Sequence, residues 1–582
     1  MIGAAILLSS CGGGGGSAPA GGGTPAAPTL SLGFGVKELR FTWLAISGAD
    51  FYRLSENPDG VSGYAQVATN LTALSFNHTI PVHRRLNASY IVEACNNAGC
   101  TASAPQILGT NLTQAIGYVK ASNTGAGDDF GLAVALSGDG NTLAVGALGE
   151  ASSSTGIDST PNELAPQAGA VYVYTRSAST WSQQAYVKAS NTGTNDGFGF
   201  SVALSGDGNT LAVGALGEAS STTGVDSTPN ELAASAGAAY VFTRTAGTWS
   251  QQAYVKASNT GAGDQFGISV ALSGDGNTLA VGAQNEDSSS TGIGSTPNEL
   301  AADAGAVYVY TRTGTTWSQQ AYVKASNTRA GDQFGRPVAL SGDGNTLAVG
   351  AVSEDSSSTG IDSTPNELAS FAGAVYVYTR SAGTWSQQAY VKASNTGAGD
   401  VFGVSVALSG DGNTLAVGAD GEASSSTGID STPNELAFAA GAVYVYTRGA
   451  GTWSQQAYVK ASNTGAFDLF GISVALSGDG NTLAVGAIGE ASSTTGINST
   501  PNEAAFAAGA VYVYTRSAGA WSQQAYVKAS NTGTNDRFGD RVALSSDGNT
   551  LAVGADGEAS SSTGLSSTPN ESAADAGAVY LY

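Results

Sequence analysis

The pentapeptide Tyr-Val-Lys-Ala-Ser begins at Tyr118, Tyr186, Tyr254, Tyr322, Tyr390, Tyr458 and Tyr526, always 68 residues apart. Phe-Gly recurs in the same register, at Phe130, Phe198, Phe266, Phe334, Phe402, Phe470 and Phe538. A period of this length marks a solenoid, a propeller or an array, in which one small unit stacks on copies of itself. Within the first unit the apolar runs are short and β-like: LAVALS (132–137), TLAVGA (142–147), AVYVYTR (170–176) and WSQQAYVKAS (181–190). Gly138-Asp139-Gly140-Asn141 suits a tight hairpin between the first two. The second and third runs are apolar on both faces (Leu143, Val145; Val171, Tyr172, Val173, Tyr174), so each sheet needs a neighbour on either side. Four antiparallel strands with two buried faces, repeated seven times, predict an all-β fold, a seven-bladed β-propeller with four-stranded blades. A β-solenoid fits less well, because its coils are far shorter than this repeat.

Strand counting predicts how the ring closes. The first three strands occur seven times, but the Trp-bearing fourth strand occurs six times (Trp181, Trp249, Trp317, Trp385, Trp453, Trp521). TQAIGYVKAS (113–122) is a fourth strand without three partners of its own. It is expected to complete the last blade, beside the third strand that ends at Tyr582. A chain cut short at its C-terminus is the rival reading.

The repeated segment FGxSVALSGDGNTLAVGA closely resembles the FG-GAP repeat, the blade of the integrin α-subunit propeller and of many bacterial surface proteins. The resemblance spans residues 107–582 and implies a non-enzymatic binding or adhesion role. Two departures stand out. No Pro follows Gly-Ala; Leu148, Leu216, Gln284, Val352, Asp420, Ile488 and Asp556 stand there. The family's calcium loop is reduced to Ser-Gly-Asp-Gly-Asn, and one carboxylate such as Asp139 cannot fill the six to eight oxygen positions that calcium prefers.

Charge is confined to the repeats. The chain of 582 residues carries −23, yet residues 1–110 balance Lys37, Arg40, Arg53, Arg84 and Arg85 against Glu38, Asp50, Glu56, Asp59 and Glu93. An acidic chain lacks the basic footprint that nucleic acid requires. Alternating strand direction puts the fourth-to-first and second-to-third loops of each unit on one face. That face is expected to hold 32 of the 40 acidic residues after residue 110, and to be strongly anionic. In the loop GEASSSTGIDSTPNEL, Glu150, Asp158 and Glu163 are candidate calcium ligands; the competing reading is a solvated acidic loop. No other cofactor is expected.

The repeats contain neither His nor Cys, and Lys120 and its counterparts are read as solvated edge-strand residues. Seven equivalent surfaces offer no distinguished acid–base pair, so the chain is not expected to be an enzyme. Arg537 and Asp540, unique to the last unit, read as a surface ion pair. Repetition suits multivalent binding to a protein or glycan ligand. A lectin-like propeller and a structural envelope module are the alternatives.

The segment before the repeats has its own organisation. MIGAAILLSS is a short apolar run of signal-peptide type, and Leu8-Ser9-Ser10-Cys11 resembles the lipobox of bacterial lipoproteins, which implies lipidation at Cys11. An ordinary secretory signal is the other reading. The implied protein is exported, anchored by lipid to a bacterial membrane, at the outer membrane or cell surface, and monomeric. Residues 12–29 form a Gly/Ala/Pro linker. Residues 30–106 contain β-type runs at 39–46, 51–56, 64–69, 74–80 and 89–95, the pattern of an immunoglobulin-like β-sandwich. Trp43, Tyr52 and Tyr90 in YIVEACNNAG give that stretch a resemblance to a fibronectin type III domain. Cys95 and Cys100 flank a tight turn, within disulfide reach across adjacent strands. His78 and His83 are read as surface or loop residues rather than ligands.

Overall fold

The computed structural model describes residues 23–177 and 180–582. The chain divides into two compact units. The first takes Arg40–His78 and Asn87–Leu108 with the described residues up to Gly33; the second takes Gly109–Tyr582 with the short segments Phe34–Leu39 and Thr79–Leu86.

The strands before residue 108 lie in two sheets. One has three strands (Leu30–Gly35, Glu38–Trp43, Ser75–Thr79) and the other five (Phe51–Asn57, Ala65–Leu71, Ser89–Asn96, Gly99–Ala102, Gln106–Ile107). Alternation sets the burial: Leu39, Phe41 and Trp43 point inward while Arg40 and Thr42 do not. The Phe41 and Tyr90 rings lie 4.9 Å apart, and those of Trp43 and Tyr52 5.5 Å apart. Cys95 and Cys100 face each other in the hairpin of Ser89–Asn96 and Gly99–Ala102 and are disulfide-bonded.

The second unit is all-β, built of four-stranded antiparallel blades with the 68-residue period. In the first repeat the strands are Phe130–Leu136, Thr142–Ala147, Ala170–Ser177 and Thr180–Val187, hydrogen-bonded in that order. The expected fourth strand is too long, because Lys188, Ala189 and Ser190 lie beyond it. Among the described residues, six sheets consist of consecutive strands; in a further one Val542–Leu544, Leu551–Ala555 and Ala578–Leu581 are joined by Gly117–Val119. Val579 there stands opposite Val119, and Tyr580 opposite Tyr118. The early segment contributes only three strand residues, because Gly109–Ala115 winds into a 3-10 helix.

The core lies between blades. Val171, Val173 and Val187 of the first repeat pack against Phe198, Leu211, Val213, Tyr240 and Trp249 of the second. Val119, Ala552, Val579 and Leu581 likewise pack against Phe130, Leu143, Val145 and Tyr172. Two glycines explain the recurrent Phe-Gly and Gly-Ala. Gly199 sits at φ +94°, where a Cβ would fall 2.5 Å from the Ala170 carbonyl oxygen, and a Cβ on Gly146 would fall 2.0 Å from the Gly199 carbonyl oxygen. Only glycine lets adjacent blades come this close.

The short hairpin turns link neighbouring blades. The Gly138 amide donates to the Gly206 carbonyl at 2.8 Å; Gly206, Gly274, Gly342, Gly410 and Gly478 each donate to the next turn, and Ser546 donates back to Gly138 at 2.9 Å. Asp139 is a turn residue: its carboxylate accepts from the Ser137 hydroxyl (2.6 Å) and from the Asn141 amide (2.9 Å) and side chain (2.8 Å).

Candidate functional site

The fourth-to-first and second-to-third loops meet at one end of the blades, tied to each other by bonds such as Asn195 amide to Pro166 carbonyl (2.9 Å) and Gly197 amide to Gln167 carbonyl (3.0 Å). Beneath them lies a polar core that repeats in every blade. Glu150 is 1% exposed. Its Oε2 receives Lys188 Nζ at 2.9 Å and the Ser152 amide at 3.1 Å; its Oε1 receives the Tyr186 hydroxyl at 2.8 Å and Asn123 Nδ2 at 3.1 Å. Lys188 also donates to the Gly169 carbonyl at 2.5 Å, and the Tyr172 hydroxyl donates to Asn123 Oδ1 at 2.7 Å. Burial pulls the Lys188 ammonium below its usual range while the Glu150 charge opposes that pull; burial and Glu150 together push the Tyr186 phenol up. The same pair recurs from Lys120–Glu558 to Lys528–Glu490.

The expectation of solvated lysines is therefore corrected: Lys120, Lys188 and their counterparts are fully buried. An ammonium placed without a partner in such a position would be prohibitively costly, and the Glu two strands away supplies the partner. The calcium reading of Glu150 is corrected for the same reason, since both of its oxygens are already engaged. Asp158 has a different task. It sits at φ +53°, its amide donates to the Tyr186 carbonyl at 2.7 Å, and its Oδ1 accepts the Tyr186 amide at 2.9 Å. The loop thus folds back along the outer strand, with Ile157 bridged to Val187, and covers an edge that would otherwise be open. Glu163 is exposed. Among the described residues no group of three or more His, Cys, Asp or Glu side chains is placed to hold a metal ion.

The anionic character of the face is weaker than a count of carboxylates suggests. The Glu150 set and the Asp128 set, fourteen side chains in all, are buried. Asp128 accepts the Gly125 amide at 2.6 Å, and burial pushes its carboxyl up to about 6. The Ser and Thr of the loop mostly bond one another: Asn162 Oδ1 accepts from the Ser153 amide and hydroxyl, both at 3.1 Å, and Ser152 and Ser154 hydroxyls pair at 2.8 Å.

Beside its remaining carboxylates, the face exposes large apolar side chains. Leu164, Leu232, Leu300, Leu368 and Leu436 recur at one loop position and are 77–80% exposed. Phe371, Phe438, Phe467 and Phe506 are exposed as well, and the Phe438 and Phe467 rings lie 5.4 Å apart. Charge patterning does not point to these residues. The available signal was an apolar residue in a polar loop, outside any strand period.

The opposite end pairs its arginines with the turn aspartates and ties them down. Arg244 stacks over Trp249 (5.2 Å to the ring centre) and reaches Gln184 (2.8 Å) and Thr142 (3.2 Å) of the preceding blade; Trp249 Nε1 shares the Gln184 oxygen at 3.0 Å. Arg537 pairs with Asp556 at 2.9 Å rather than with Asp540, whose partner is Arg541 at 3.2 Å. His83 is buried, in the 3-10 turn Val82–Arg84, and not a surface residue; His78 lies on Ser75–Thr79. Cys11 lies outside the described residues.

Among solved structures the chain is similar to Saccharomyces cerevisiae Sqt1 (10% identity, 80% of this chain and 97% of that chain, TM-score 0.38). It is also similar to the RRP9 WD40 repeats (9% identity, 80% and 96%, TM-score 0.39). A Fn3-like protein from Clostridium thermocellum is 30% identical over 14% of this chain and 88% of its own (TM-score 0.13). No curated protein matches. The model of the FG-GAP repeat matches residues 181–242, 249–310, 317–378, 385–446, 453–514 and 521–582, each running from the fourth strand of one blade through the third strand of the next. Well over half of the sequence is accounted for in this way, and the chain belongs to the FG-GAP repeat family.

Proposed function

We propose that this chain is a non-enzymatic binding protein whose long-loop face carries the contact surface of a closed, seven-bladed β-propeller. The observation that carries the reading is the exposed apolar set on that face, Leu164 and its four counterparts with Phe371, Phe438, Phe467 and Phe506. Large exposed hydrophobics gathered at one end of a rigid scaffold mark an interaction site. Closure is supported by the pairing of Gly117–Val119 with Ala578–Leu581 and by the bond from Ser546 to Gly138. The ligand is a protein surface with complementary apolar and basic groups, which the remaining exposed carboxylates would steer. The preceding sheets serve as a fibronectin type III-like stalk, and lipidation at Cys11 would hold the molecule at a bacterial cell surface.

The test compares wild type with Phe371→Ser/Phe438→Ser/Phe467→Ser/Phe506→Ser for adhesion to immobilised cells and matrix proteins. The expected result is loss of adhesion with an unchanged melting temperature; equal adhesion by both would defeat the reading. The stacked Phe438–Phe467 pair favours one alternative, a sugar ring laid on an aromatic platform. A glycan array with the same two proteins decides between them.

A further inference from the structure

The near-identity of the blades makes their exceptions informative. Behind each Phe-Gly the repeat places two residues at the axial channel: Phe200-Ser201, Ile268-Ser269, Val404-Ser405 and Ile472-Ser473 keep an apolar residue followed by Ser. The first repeat has Leu132-Ala133 there, and two repeats break the pattern with arginine, as Arg336-Pro337 and Asp540-Arg541. Both arginines line one cavity of about 290 Å³, to which the first strands of all the blades contribute. Arg336 is exposed to it, and its guanidinium has no hydrogen bond or ion pair with any described residue. Arg541 is half-buried and uses Nη1 for the Asp540 carboxylate (3.2 Å) and carbonyl (2.7 Å). Burial in the cavity disfavours charge on Arg336, the nearby Arg541 cation adds to that, and the Asp420 carboxylate opposes both. Ser269 and Ser473 accept the amides of Val338 and Val542, both at 3.1 Å, and their own hydroxyl protons have no described acceptor.

Two guanidinium groups that face one cavity repel each other, and an anion bound between them relieves that repulsion. A planar guanidinium fork matches a carboxylate or phosphoryl group, and flanking hydroxyls supply further donors. We propose that the axial cavity binds a small oxyanion, a carboxylate or phosphoryl group held by Arg336 and Arg541 with Ser269 and Ser473 beside them. The site is distinct from the long-loop apolar patch and, unlike that patch, occurs once per molecule.

Isothermal titration of the full chain with inorganic phosphate and with succinate, at low ionic strength, tests this. Arg336→Val and Arg541→Ser install the residues that Val404 and Ser405 already provide in another blade, so the fold has precedent for both. One or both probes should bind saturably at a single site. Each single variant should weaken binding at least about tenfold, and the double variant should abolish it. Arg336→Lys, which keeps the charge but loses the fork, should also weaken it and needs no change of size. Binding of phosphate alone assigns a phosphoryl group, and binding of succinate alone a carboxylate. The proposal is overturned if neither probe binds saturably, or if the double variant binds as tightly as wild type.

Discussion

The Lys–Glu pair under the loop face shows how a single residue type is dictated by its surroundings. Lys256 is fully buried and meets Glu218 at 2.9 Å, with the Gly237 carbonyl at 2.5 Å. Removing one charge strands the other in a dry site. Lys256→Met should therefore cost about 3–5 kcal/mol, and Lys256→Met/Glu218→Gln should recover much of that loss. Chemical denaturation of the three proteins measures it. The Asp128 set makes a second prediction. Burial raises these carboxyls to about 6 (Asp128, Asp196, Asp400, Asp468) or about 7 (Asp264, Asp332, Asp536), well above the ordinary aspartate range near 3.8. A raised folded-state value means that the native protein holds more protons than the unfolded chain between those limits, so stability falls as pH rises through about 4 to 7. Burial also pushes Asp139 up, but its bonds from Ser137 and Asn141 outweigh that, so its contribution is lost only at lower pH. The melting temperature should be higher near pH 5 than at pH 8, and Asp264→Asn should flatten part of that slope. A profile that rises toward pH 8 contradicts this.

At the scale of the element, the returning loop explains a variation that metal binding does not. Asp158, Asp226, Asp362 and Asp430 are replaced in other repeats by Gly294, Asn498 and Ser566. All of these positions are left-handed, with φ between 52° and 67° for the examples Asp158, Asp226, Gly294, Asn498 and Ser566. Asn498 still caps the Tyr526 amide at 2.8 Å, as Asp226 caps Tyr254 at 3.0 Å. Asp226→Asn should thus be nearly neutral. Asp226→Val, β-branched in a left-handed position and unable to accept a bond, should cost about 1–2 kcal/mol, read as a lower denaturation midpoint and faster amide exchange at Tyr254. The strands themselves were legible in the sequence, because period-2 runs and Gly-rich turns act locally: TLAVGA is the strand Thr142–Ala147, and the runs at 51–56 and 89–95 are strands as well. The polar core was not. Nothing in the spacing of Lys188 and Glu150 announces that they meet, since their contact needs two strands and a loop to be folded first. The early run 113–122 was legible only in part, because Thr113 to Ala115 belong to a 3-10 helix and strand pairing begins at Gly117.

For the molecule as a whole, the pairing of Gly117–Val119 with Ala578–Leu581 joins the two ends of the repeat array. Deleting residues 578–582 removes that strand together with the Tyr580 bond to Asn531 (2.7 Å) and the Tyr582 bond to the Lys528 carbonyl (2.6 Å). The truncated protein should melt at lower temperature, and the amides of Tyr118 and Val119 should lose protection from hydrogen exchange. Retained protection at those amides would show that the early strand does not depend on the terminal one. Family membership was legible because the repeat is written out in every copy, whereas the proposed contact surface lies in what differs between copies. Leu164 has counterparts in four further repeats but gives way to Ala504 and Ser572, and among the described residues the exposed phenylalanines occur only between Phe371 and Phe506. The scaffold is rotationally regular and its decoration is not. On the proposed propeller, a partner that settles on those phenylalanines could not dock equivalently on every blade; it would be given one compass bearing, and a molecule with almost interchangeable parts would acquire a front.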